Sequence, residues 1–529
     1  MTTPVPTWRS KGTALSRPGL LLLFALGVAV IWLPERPPMV DFPQHAGQIA
    51  LLRDLILGRS PWAREVRINL LTPYLIGYAL ATPLSFVMPV TAALKLALTA
   101  AYAAFGLIGV AIRRELNAAR ELDAYYFVGF FGAAYSWGFW PFLIAAPVGL
   151  GFIWLAIRYS RERSVPRGFA LSALGVALLF SHGLVFASAC ALGLMVVWVK
   201  AKDPRDAIVR SWPFAVPTFL FVAVFIIMRH SDVTASLKFP PQILMPSLAD
   251  RTKDLLGETF DPPSPVPILG TLALAVLPWL GGLKLDLRRS ESLAIGAGVI
   301  AILALTPYSV SPISKIHPRF VIYLAPAYAW LFSPGRRPRT PRAALVAPFL
   351  SLAAIGVGGL ELARQAVHAV MFSREARDFD PVLARAKPGQ RALSLVYDRD
   401  SAVNSNGNVY YDFPLYYQVE KKGFVDFNFA YYQNQLVRFT LPLPVRYTDQ
   451  SLFDQPERFV WRDDYTLRYR YIFVRHSKPI PTALFASVAC RPVEVAASGT
   501  WALFEARPCV AIKSSTPRPW GGGKGARLR

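Results

Sequence analysis

The sequence predicts an α-helical polytopic membrane protein with about eleven transmembrane helices, followed by a small C-terminal α/β domain outside the cytoplasm. Three observations predict this class. The 529 residues are 53% hydrophobic and only 17% charged, whereas soluble domains carry about 25% charged residues. Apolar runs of roughly bilayer-spanning length recur from Gly19 to Leu360. Short basic clusters separate many of these runs.

The net charge of +24 lies largely between the apolar runs, which is the distribution expected of cytoplasmic loops. We therefore interpret the charge as loop anchoring and exclude a nucleic-acid partner. Residues 1–18 show no small-residue cleavage site, so they are predicted to form a cytoplasmic N-terminus before an uncleaved first span. The basic clusters are Arg113-Arg114, Arg158–Arg167, Lys200–Arg210, Lys284–Arg289 and Arg336–Arg342.

The transmembrane domain is predicted over residues 19–360, with a first outer loop at residues 34–69. Leu70–Met88 is interpreted as a juxtamembrane or half-inserted segment, because a full crossing there would place every basic cluster outside. The predicted crossings are Gly19–Leu33, Val90–Ile112, Ala124–Ser136, Phe142–Ile157, Gly168–Phe180, Leu184–Val199, Pro213–Met228, Val266–Leu283, Leu293–Pro307, Phe320–Phe332 and Ala343–Leu360.

The composition changes after Leu360, and residues 361–512 are predicted to form a periplasmic α/β domain. Apolar and aromatic residues there recur in short strand-like runs. Cys490 and Cys509 fall in this domain, and whether they form a disulfide is left open. Residues 513–529 are rich in Pro, Gly and Arg and are predicted to be a disordered basic tail. The predicted strands lie within Arg391–Asp398, Tyr469–Arg475 and Trp501–Arg507.

Unusual polar residues collect in the predicted outward loops. Ionisable residues at membrane depth are costly, so they indicate a functional site. Three of the six histidines of the chain are among them. The candidate site residues are Asp41, His45, His182, Lys315, His317 and Arg319.

Each candidate also has a structural interpretation. Asp41 and Gln44 have the spacing of a helix capping box, and Pro43 fits the first helical turn. In that helix Ile49, Leu52, Leu55 and Ile56 would face the bilayer from an interfacial position. His182 fits a turn residue bonded to a backbone carbonyl, and Arg319 fits an interfacial anchor. The charges of the loop near residues 250–258 fit a solvated helix face.

Three short motifs carry a family resemblance. They are Asp41-x-Pro43-x-His45 in the first outer loop, the turn WGF at Trp137–Phe139 and the turn SHG at Ser181–Gly183. A proline-led stretch also precedes a span that ends in a basic pair. This layout resembles the C-type membrane glycosyltransferases (GT-C), such as protein O-mannosyltransferases and lipid A aminoarabinose transferases. It is most similar to uncharacterised bacterial members that end in a small outer α/β domain.

The resemblance implies sugar transfer from a polyprenyl-phosphate donor to a lipid, glycan or protein acceptor at the periplasmic face of a bacterial inner membrane. Asp41 matches the loop-one acid, which serves as general base or, in some members, as metal ligand. His45 would orient Asp41 or bind the acceptor, and Arg319 with Lys315 nearby would clamp the phosphate. Asp41 is followed by Phe42, not by the glutamate of mannosyltransferases with an Asp-Glu pair. A divalent metal is therefore left open, and no cofactor or metal ligand is assigned.

Two other functions compete with this prediction. A transporter or flippase of lipid-linked sugars would show broken helices with ionisable groups near mid-membrane in both halves. Here the ionisable residues collect at one face, which favours an outward-facing enzyme. A polysaccharide polymerase or ligase would share the chemistry but use a lipid-linked glycan as donor.

Overall fold

The computed structural model describes residues 16–230, 242–260, 265–310, 313–334, 341–404, 407–440, 455–485, 488 and 491–507. The chain divides into two compact units. Unit 1 contains residues 1–377, 399–422 and 428–446, and unit 2 contains residues 378–398, 423–427 and 447–529. The range 361–512 thus contributes to both units. Cys490, Cys509 and the tail 513–529 lie outside the described residues.

The described chain is mostly helical. Its helices are α1 (Ser16–Trp32), α2 (Phe42–Ile56), α3 (Leu75–Leu84), α4 (Val90–Glu115), α5 (Tyr125–Val128), α6 (Ala133–Ser136), α7 (Trp140–Arg161), α8 (Val165–Ser181), α9 (Gly183–Trp198), α10 (Pro204–Arg210), α11 (Trp212–His230), α12 (Leu248–Gly257), α13 (Pro265–Leu280), α14 (Ser290–Leu305), α15 (Ile316–Arg319), α16 (Leu324–Trp330), α17 (Pro341–Glu375), α18 (Phe379–Arg385) and α19 (Tyr416–Lys421). Its strands are β1 (Val66–Ile68), β2 (Ile243–Leu244), β3 (Lys284–Leu285), β4 (Ser309–Val310), β5 (Phe332–Ser333), β6 (Arg391–Val396), β7 (Phe424–Val425), β8 (Val437–Phe439), β9 (Tyr471–Arg475), β10 (Val493–Ser498) and β11 (Trp501–Glu505).

Helix α7 is a central element of unit 1. It is apolar all round, as expected of a helix enclosed by others, and it packs against α4, α8 and α9. Pro141 occupies its first turn, where a missing N–H costs nothing. At that end the Trp140 indole N–H donates to the Leu94 carbonyl of α4 over 3.2 Å. Arg158 and Arg161 fall in the last turn, where the helix dipole stabilises positively charged side chains. The N-terminus of α7 is therefore fixed against α4, beside the candidate site.

Three helical segments of the described chain are long and apolar enough to cross a membrane: Val90–Glu115, Trp140–Arg161 and Pro348–Arg385. The pair Pro204–Arg210 and Trp212–Met228, bent by 59°, would make a fourth. By helix length and composition, the described chain thus has three or four candidate membrane spans, and the predicted number of about eleven is wrong. Six further apolar helices have only 10–17 residues. The predicted crossings Ala124–Ser136 and Phe320–Phe332 are broken into short helices and 3-10 turns.

Helix α2 is buried inside unit 1, so the expected interfacial helix is wrong. Of the four residues predicted to face lipid, Ile49 and Leu52 are buried, Leu55 is half-buried, and only Ile56, at the end of the helix, is exposed. The Gln44 side-chain amide donates to Asp412 over 2.8 Å and its carbonyl accepts from the Phe429 N–H over 2.9 Å. Gln48 accepts from the Val437 N–H over 2.9 Å. Segments from far along the chain therefore cover this helix. Their buried polar groups find hydrogen-bond partners in the side chains of Gln44 and Gln48.

A short antiparallel ladder adds to this cover. Strand β1, from the first outer loop, pairs with β8 so that Val66 opposes Phe439 and Ile68 opposes Val437. The Thr72 hydroxyl donates to the Asn434 carbonyl over 2.5 Å. Residues 428–440 therefore act as a structural partner of the segment 66–72 within unit 1.

Unit 2 is built on a five-stranded mixed sheet in the order β10-β11-β9-β6-β7. Strand β6 runs parallel to β7 and β9, whereas β9, β11 and β10 pair antiparallel. Helix α18 covers the sheet, with the Phe379 ring 4.8 Å from that of Trp501. The three predicted strands are confirmed as β6, β9 and β11, each shorter than predicted by up to two residues.

Candidate functional site

The WGF turn, Trp137–Phe139, holds the start of α2 in place. The Asp41 N–H donates to the Trp137 carbonyl over 2.9 Å. Gly138 has φ +75°, and a Cβ added there would lie 2.9 Å from the Phe42 nitrogen and 3.0 Å from the Asp41 nitrogen. Only glycine combines this backbone conformation with so close an approach. The turn thus fixes the backbone of Asp41 without using its carboxyl group.

The Asp41 carboxyl group does not cap α2, so the predicted capping box is wrong. Asp41 has φ −86° and ψ −3°, a helical conformation, whereas a capping residue is typically extended. Gln44, the other half of the predicted box, is committed to Asp412 and Phe429. Among the described residues the Asp41 carboxyl has no hydrogen-bond partner.

The environment of Asp41 raises its affinity for a proton. Protein atoms surround the side chain on most sides, but part of its surface is still exposed. Burial raises the pKa of Asp41 from its usual 3.8 to about 7, because the charged form loses hydration, and the Arg319 guanidinium opposes this only in part. No ion pair forms between the two side chains. The result is an unpaired carboxyl group that exchanges its proton near neutral pH.

His45 lies one helical turn after Asp41 and is only 3% exposed. Its Nδ1 is 2.7 Å from the Tyr78 hydroxyl, and that hydroxyl donates to Gln435 Oε1 over 2.9 Å. With Tyr78 donating to Gln435, Nδ1 carries the imidazole proton and Nε2 keeps a lone pair. Burial, together with the Arg319 charge, lowers the pKa of His45 to about 3. His45 is therefore a neutral imidazole at physiological pH.

Arg319, at the end of α15, supplies the positive charge of the site. It is 8% exposed. Its Nε donates to the Lys315 carbonyl over 3.1 Å and one Nη donates to the Ser314 carbonyl over 2.9 Å. The guanidinium carbon lies 3.5 Å from the centroid of the Phe139 ring, a cation–π contact. The remaining Nη has no partner among the described residues, so it can donate to an anion.

Lys315 and His317 do not join Asp41; they pair with α12 and the residue that follows it. Lys315 Nζ lies 3.3 Å from Glu258 and 4.3 Å from the centre of the Trp137 ring. His317 Nε2 lies 2.9 Å from Asp254. The charges near residues 250–258 were predicted to form a solvated helix face. This is wrong for three of them: Arg251 is buried, Asp254 binds the His317 imidazole and Glu258 pairs with Lys315. These pairs fix the loop that carries Arg319.

His182 is a turn residue, as predicted, but among the described residues its ring bonds to a backbone N–H and not to the predicted backbone carbonyl. It ends α8 and begins α9, and its Nδ1 accepts from the Leu184 N–H over 3.2 Å. The ring packs 5.0 Å from that of Tyr74 and 5.3 Å from that of Phe142. Arg319 and His45 are close enough to act electrostatically on it. His182 therefore forms part of the wall around the site.

Tyr78 and Gln435 were missed by the sequence analysis although they orient His45. Tyr78 lies in the stretch interpreted as juxtamembrane, and its only signal is a hydroxyl in an apolar run. Gln435 is 357 residues from Tyr78 along the chain, so no local pattern could connect them. Within the described residues there is no cluster of three or more His, Cys, Asp or Glu side chains that could hold a metal ion.

No protein-family model matches the chain, and no curated protein matches it. The arabinofuranosyltransferase AftD from mycobacteria, solved by cryo-electron microscopy, is similar with a TM-score of 0.48 and 15% identity, over 93% of this chain and 40% of that chain. A mutant of AftD gives a TM-score of 0.48 and 14% identity, over 93% and 42% of the two chains. The chain thus spans about two-fifths of the length of these structures. At this level of similarity a family is not established, and function has to be inferred from the site itself.

Proposed function

We propose that this chain is a membrane glycosyltransferase that moves a sugar from a polyprenyl-phosphate donor to an acceptor hydroxyl, with Asp41 as the general base. The observation that carries the proposal is the half-buried Asp41 carboxyl, which has no partner in the part of the chain that the structure describes. Burial raises its pKa to about 7. A general base is most effective when its pKa lies near the working pH. An aspartate with an ordinary pKa would be a much weaker base.

The reaction is a single displacement. The acceptor oxygen attacks the anomeric carbon while its proton passes to the Asp41 carboxylate. The bond from the anomeric carbon to the phosphate oxygen breaks, and its electron pair leaves with the polyprenyl phosphate. The configuration at the anomeric carbon is therefore inverted.

Arg319 is proposed to bind the departing phosphate. Negative charge grows on the phosphate oxygens during bond cleavage, and a fixed cation in a water-poor site stabilises it. The guanidinium is held by two carbonyl oxygens and the Phe139 ring. Because these contacts exist without substrate, little reorganisation is needed when charge develops. The partnerless Nη is the donor for phosphate.

His45 is proposed to bind the acceptor or orient it toward Asp41. Its Nε2 lone pair can accept a hydrogen bond from a hydroxyl group, and the Tyr78–Gln435 chain fixes the ring. Lys315, His317 and His182 were predicted to bind substrate. We now propose that all three position the site: the first two fix the Arg319 loop and His182 supports its wall.

We propose that the site lies at the periplasmic face of a bacterial inner membrane. Helix α4 has 26 residues, or about 39 Å at 1.5 Å per residue. Its N-terminal part contacts the candidate site through Trp140, and its C-terminal turn carries Arg113 and Arg114. A basic pair is favoured on the cytoplasmic side. The opposite end, with Asp41, would then face outward.

Asp41→Asn is the test of this proposal. The purified full chain, reconstituted in lipid nanodiscs, is supplied with polyprenyl-phosphate-linked pentoses and hexoses and with alkyl glycosides as acceptors. Transfer is measured as labelled glycoside and as released polyprenyl phosphate. We expect the exchange to lower the rate by about 10²–10⁴-fold, the contribution of a positioned base.

Asp203→Asn is the matched control. Asp203 also begins a helix, but it caps α10 by accepting from the Asp206 N–H over 2.8 Å, and asparagine caps about as well as aspartate. This variant should retain full activity. If Asp41→Asn transfers sugar at the wild-type rate, Asp41 is not the base and the proposal fails.

A further inference from the structure

A second cavity lies in unit 1 between α1, α4 and α17, and the proposed transfer reaction does not use it. Its volume is about 660 Å³, within the range of roughly 300–1,000 Å³ typical of ligand pockets. Most of its wall is aliphatic or aromatic. Among the lining residues are Leu20, Phe24, Leu107, Val110 and Ile355.

One end of this cavity is strongly basic. Arg17, at the start of α1, and Arg113 and Arg114, at the end of α4, line it together. Arg113 is paired with Asp123 over 3.0 Å. Neither Arg17 nor Arg114 forms an ion pair with any described residue. Two carboxyl groups, those of Glu121 and Asp123, also line this end, and Asp123 interacts electrostatically with Arg114 as well as with Arg113. The four arginines of the lining, Arg17, Arg113, Arg114 and Arg120, still outnumber the two acids. The cavity therefore joins an apolar wall to an end with an excess of guanidinium groups.

The basic end is distant from the candidate active site. Helices α1 and α4 run antiparallel, since the Tyr102 hydroxyl donates to the Leu23 carbonyl and the Trp32 indole N–H donates to Thr99. Arg17 and Arg114 are thus at the same end of the helix pair. The opposite end carries the Lys95 ammonium, which donates to the Pro34 carbonyl over 2.5 Å, just before the loop of Asp41. The cavity and the active site are two separate places.

We propose that this cavity binds an anionic phospholipid from the surrounding bilayer. The arginines would hold the head-group phosphate, because guanidinium groups form charge-assisted hydrogen bonds with phosphate oxygens. The acyl chain would lie along Leu20, Phe24, Leu107 and Val110. Basic pockets between membrane helices favour lipids of this charge.

Exposed apolar side chains beside the cavity favour entry from lipid. Leu21 is 69% exposed and Leu107 is 65% exposed, and both line the cavity. Because they continue the apolar wall of the cavity, they form with it one apolar surface that lipid or a bound acyl chain would cover. A free phosphate ion would use the arginines alone and leave this apolar wall uncovered, whereas a phospholipid covers both.

The experiment measures thermal unfolding of the purified full chain in neutral detergent with three additions. These are dioleoyl phosphatidylglycerol, dioleoyl phosphatidylcholine and inorganic phosphate. The first two have the same acyl chains and differ in net charge. We expect phosphatidylglycerol alone to raise the midpoint temperature, and native mass spectrometry to show one retained phosphatidylglycerol. Equal stabilisation by phosphatidylcholine, or by inorganic phosphate, would overturn the proposal of an anionic lipid.

Two variants separate the two parts of the cavity. The double change Arg17→Ala with Arg114→Ala removes the unpaired charges, and we expect about fivefold weaker lipid binding for each arginine removed. Ala103→Phe fills the apolar wall and leaves the arginines in place, and it should also abolish retention. Arg205→Ala removes an exposed arginine in α10 that does not line the cavity and should retain lipid like the wild type. Unchanged binding in both cavity variants would show that the lipid is bound elsewhere.

Discussion

Two parts of unit 1 treat their acidic side chains in opposite ways. At the start of α2, Asp41 has no hydrogen-bond or ion-pair partner among the described residues, and its pKa is raised to about 7. In and just after α12, Asp254 holds His317 and Glu258 holds Lys315. Burial raises the pKa of Glu258 as well, but Lys315 opposes it at 3.3 Å. Both regions lie next to the Arg319 loop, so location alone does not separate them.

The difference lies in what each carboxyl group is free to do. A carboxylate that is bonded to a lysine or an imidazole stabilises the loop that carries those residues. A carboxyl group left unpaired in a water-poor place costs stability, which proteins accept mainly at functional sites. From this difference we expect Asp41 to take part in the reaction, and Asp254 and Glu258 only to position the loop of Arg319.

After Asp41→Asn, the largest effect is expected from Arg319→Ala. Loss of a preorganised group that stabilises transition-state charge typically costs about 10²–10³-fold in rate. We expect that loss in kcat/KM with the polyprenyl-phosphate donor. Arg319→Lys should recover it only in part, because an ammonium cannot bond both carbonyl oxygens and still present a planar fork.

Arg251→Ala is the control for this change. Arg251 is also buried and also donates to two carbonyl oxygens, those of Leu303 and Thr306, over 2.7 and 2.8 Å. Its loss should reduce the amount of folded protein but not the activity of the folded fraction. If both arginine variants lose specific activity alike, Arg319 is a structural residue and not a phosphate ligand.

The pH dependence is the next largest effect. Only the deprotonated form of Asp41 is a base, so kcat/KM should rise about tenfold per pH unit below pH 7 and level off above it. The residual activity of Asp41→Asn should show no such rise. The test range extends about 1.5 pH units to each side of the pKa of Asp41, from about pH 5.5 to about pH 8.5. A wild-type kcat/KM that stays constant over this range, with the same rate-limiting step, would contradict the raised pKa.

The same shift has the opposite sign for stability. The pKa of Asp41 is 3.8 in an exposed carboxyl group and about 7 in the fold, so between these values the folded state holds more protons than the unfolded state. The contribution of Asp41 to the free energy of unfolding therefore falls as pH rises from about 4 to about 7. Asp41→Asn should remove this fall, measured as the unfolding midpoint against pH. Activity and stability at this residue thus have opposite pH trends.

A smaller effect is expected from Gly138→Ala. The new Cβ would lie 2.9–3.0 Å from the backbone nitrogens of Phe42 and Asp41, so the loop must shift by a few tenths of an ångström. Since a misplacement of 1 Å at a catalytic group costs about 10²-fold, we expect roughly a tenfold loss of kcat. Gly58→Ala is the matched control, because Gly58 has φ +63° with nothing within 4 Å. It should lose about 1 kcal/mol of stability from the left-handed backbone and no activity. Equal activity of the two variants would show that the WGF turn does not position Asp41.

Part of this fold could be predicted from sequence because it depends on local patterns. The alternation of apolar residues gave β6, β9 and β11, and the apolar runs gave most of the long helices. The number of membrane crossings could not be predicted in the same way. Hydropathy does not distinguish a helix that faces lipid from one enclosed by protein, and the run Ala124–Ser136 is broken at Gly129 and Gly132.

The burial of α2 was out of reach for a different reason. The sequence shows an amphipathic helix after a span, and an interfacial position satisfies that pattern. The actual cover comes from residues 368 and 385 positions away, through Gln44 to Asp412 and Phe429. Asp41, His45 and Arg319 were singled out as polar groups in apolar surroundings. In the structure the Arg319 charge acts on both Asp41 and His45. Lys315 and His317, from the same loop, instead bind Glu258 and Asp254.

The smallest effect on activity is expected from Asp254→Asn, which weakens the pair with His317. The asparagine oxygen can still accept from His317 Nε2, so the loss is the charge assistance of a bond measured at 2.9 Å. We expect about 1 kcal/mol less stability against unfolding and a change in kcat/KM of less than about fivefold, which corresponds to under 1 kcal/mol of transition-state stabilisation. Arg319 keeps its contacts with Lys315, Ser314 and Phe139 in this variant. A loss of kcat as large as that of Asp41→Asn would place Asp254 in the reaction, and the distinction between a paired acid that positions and an unpaired acid that reacts would no longer hold.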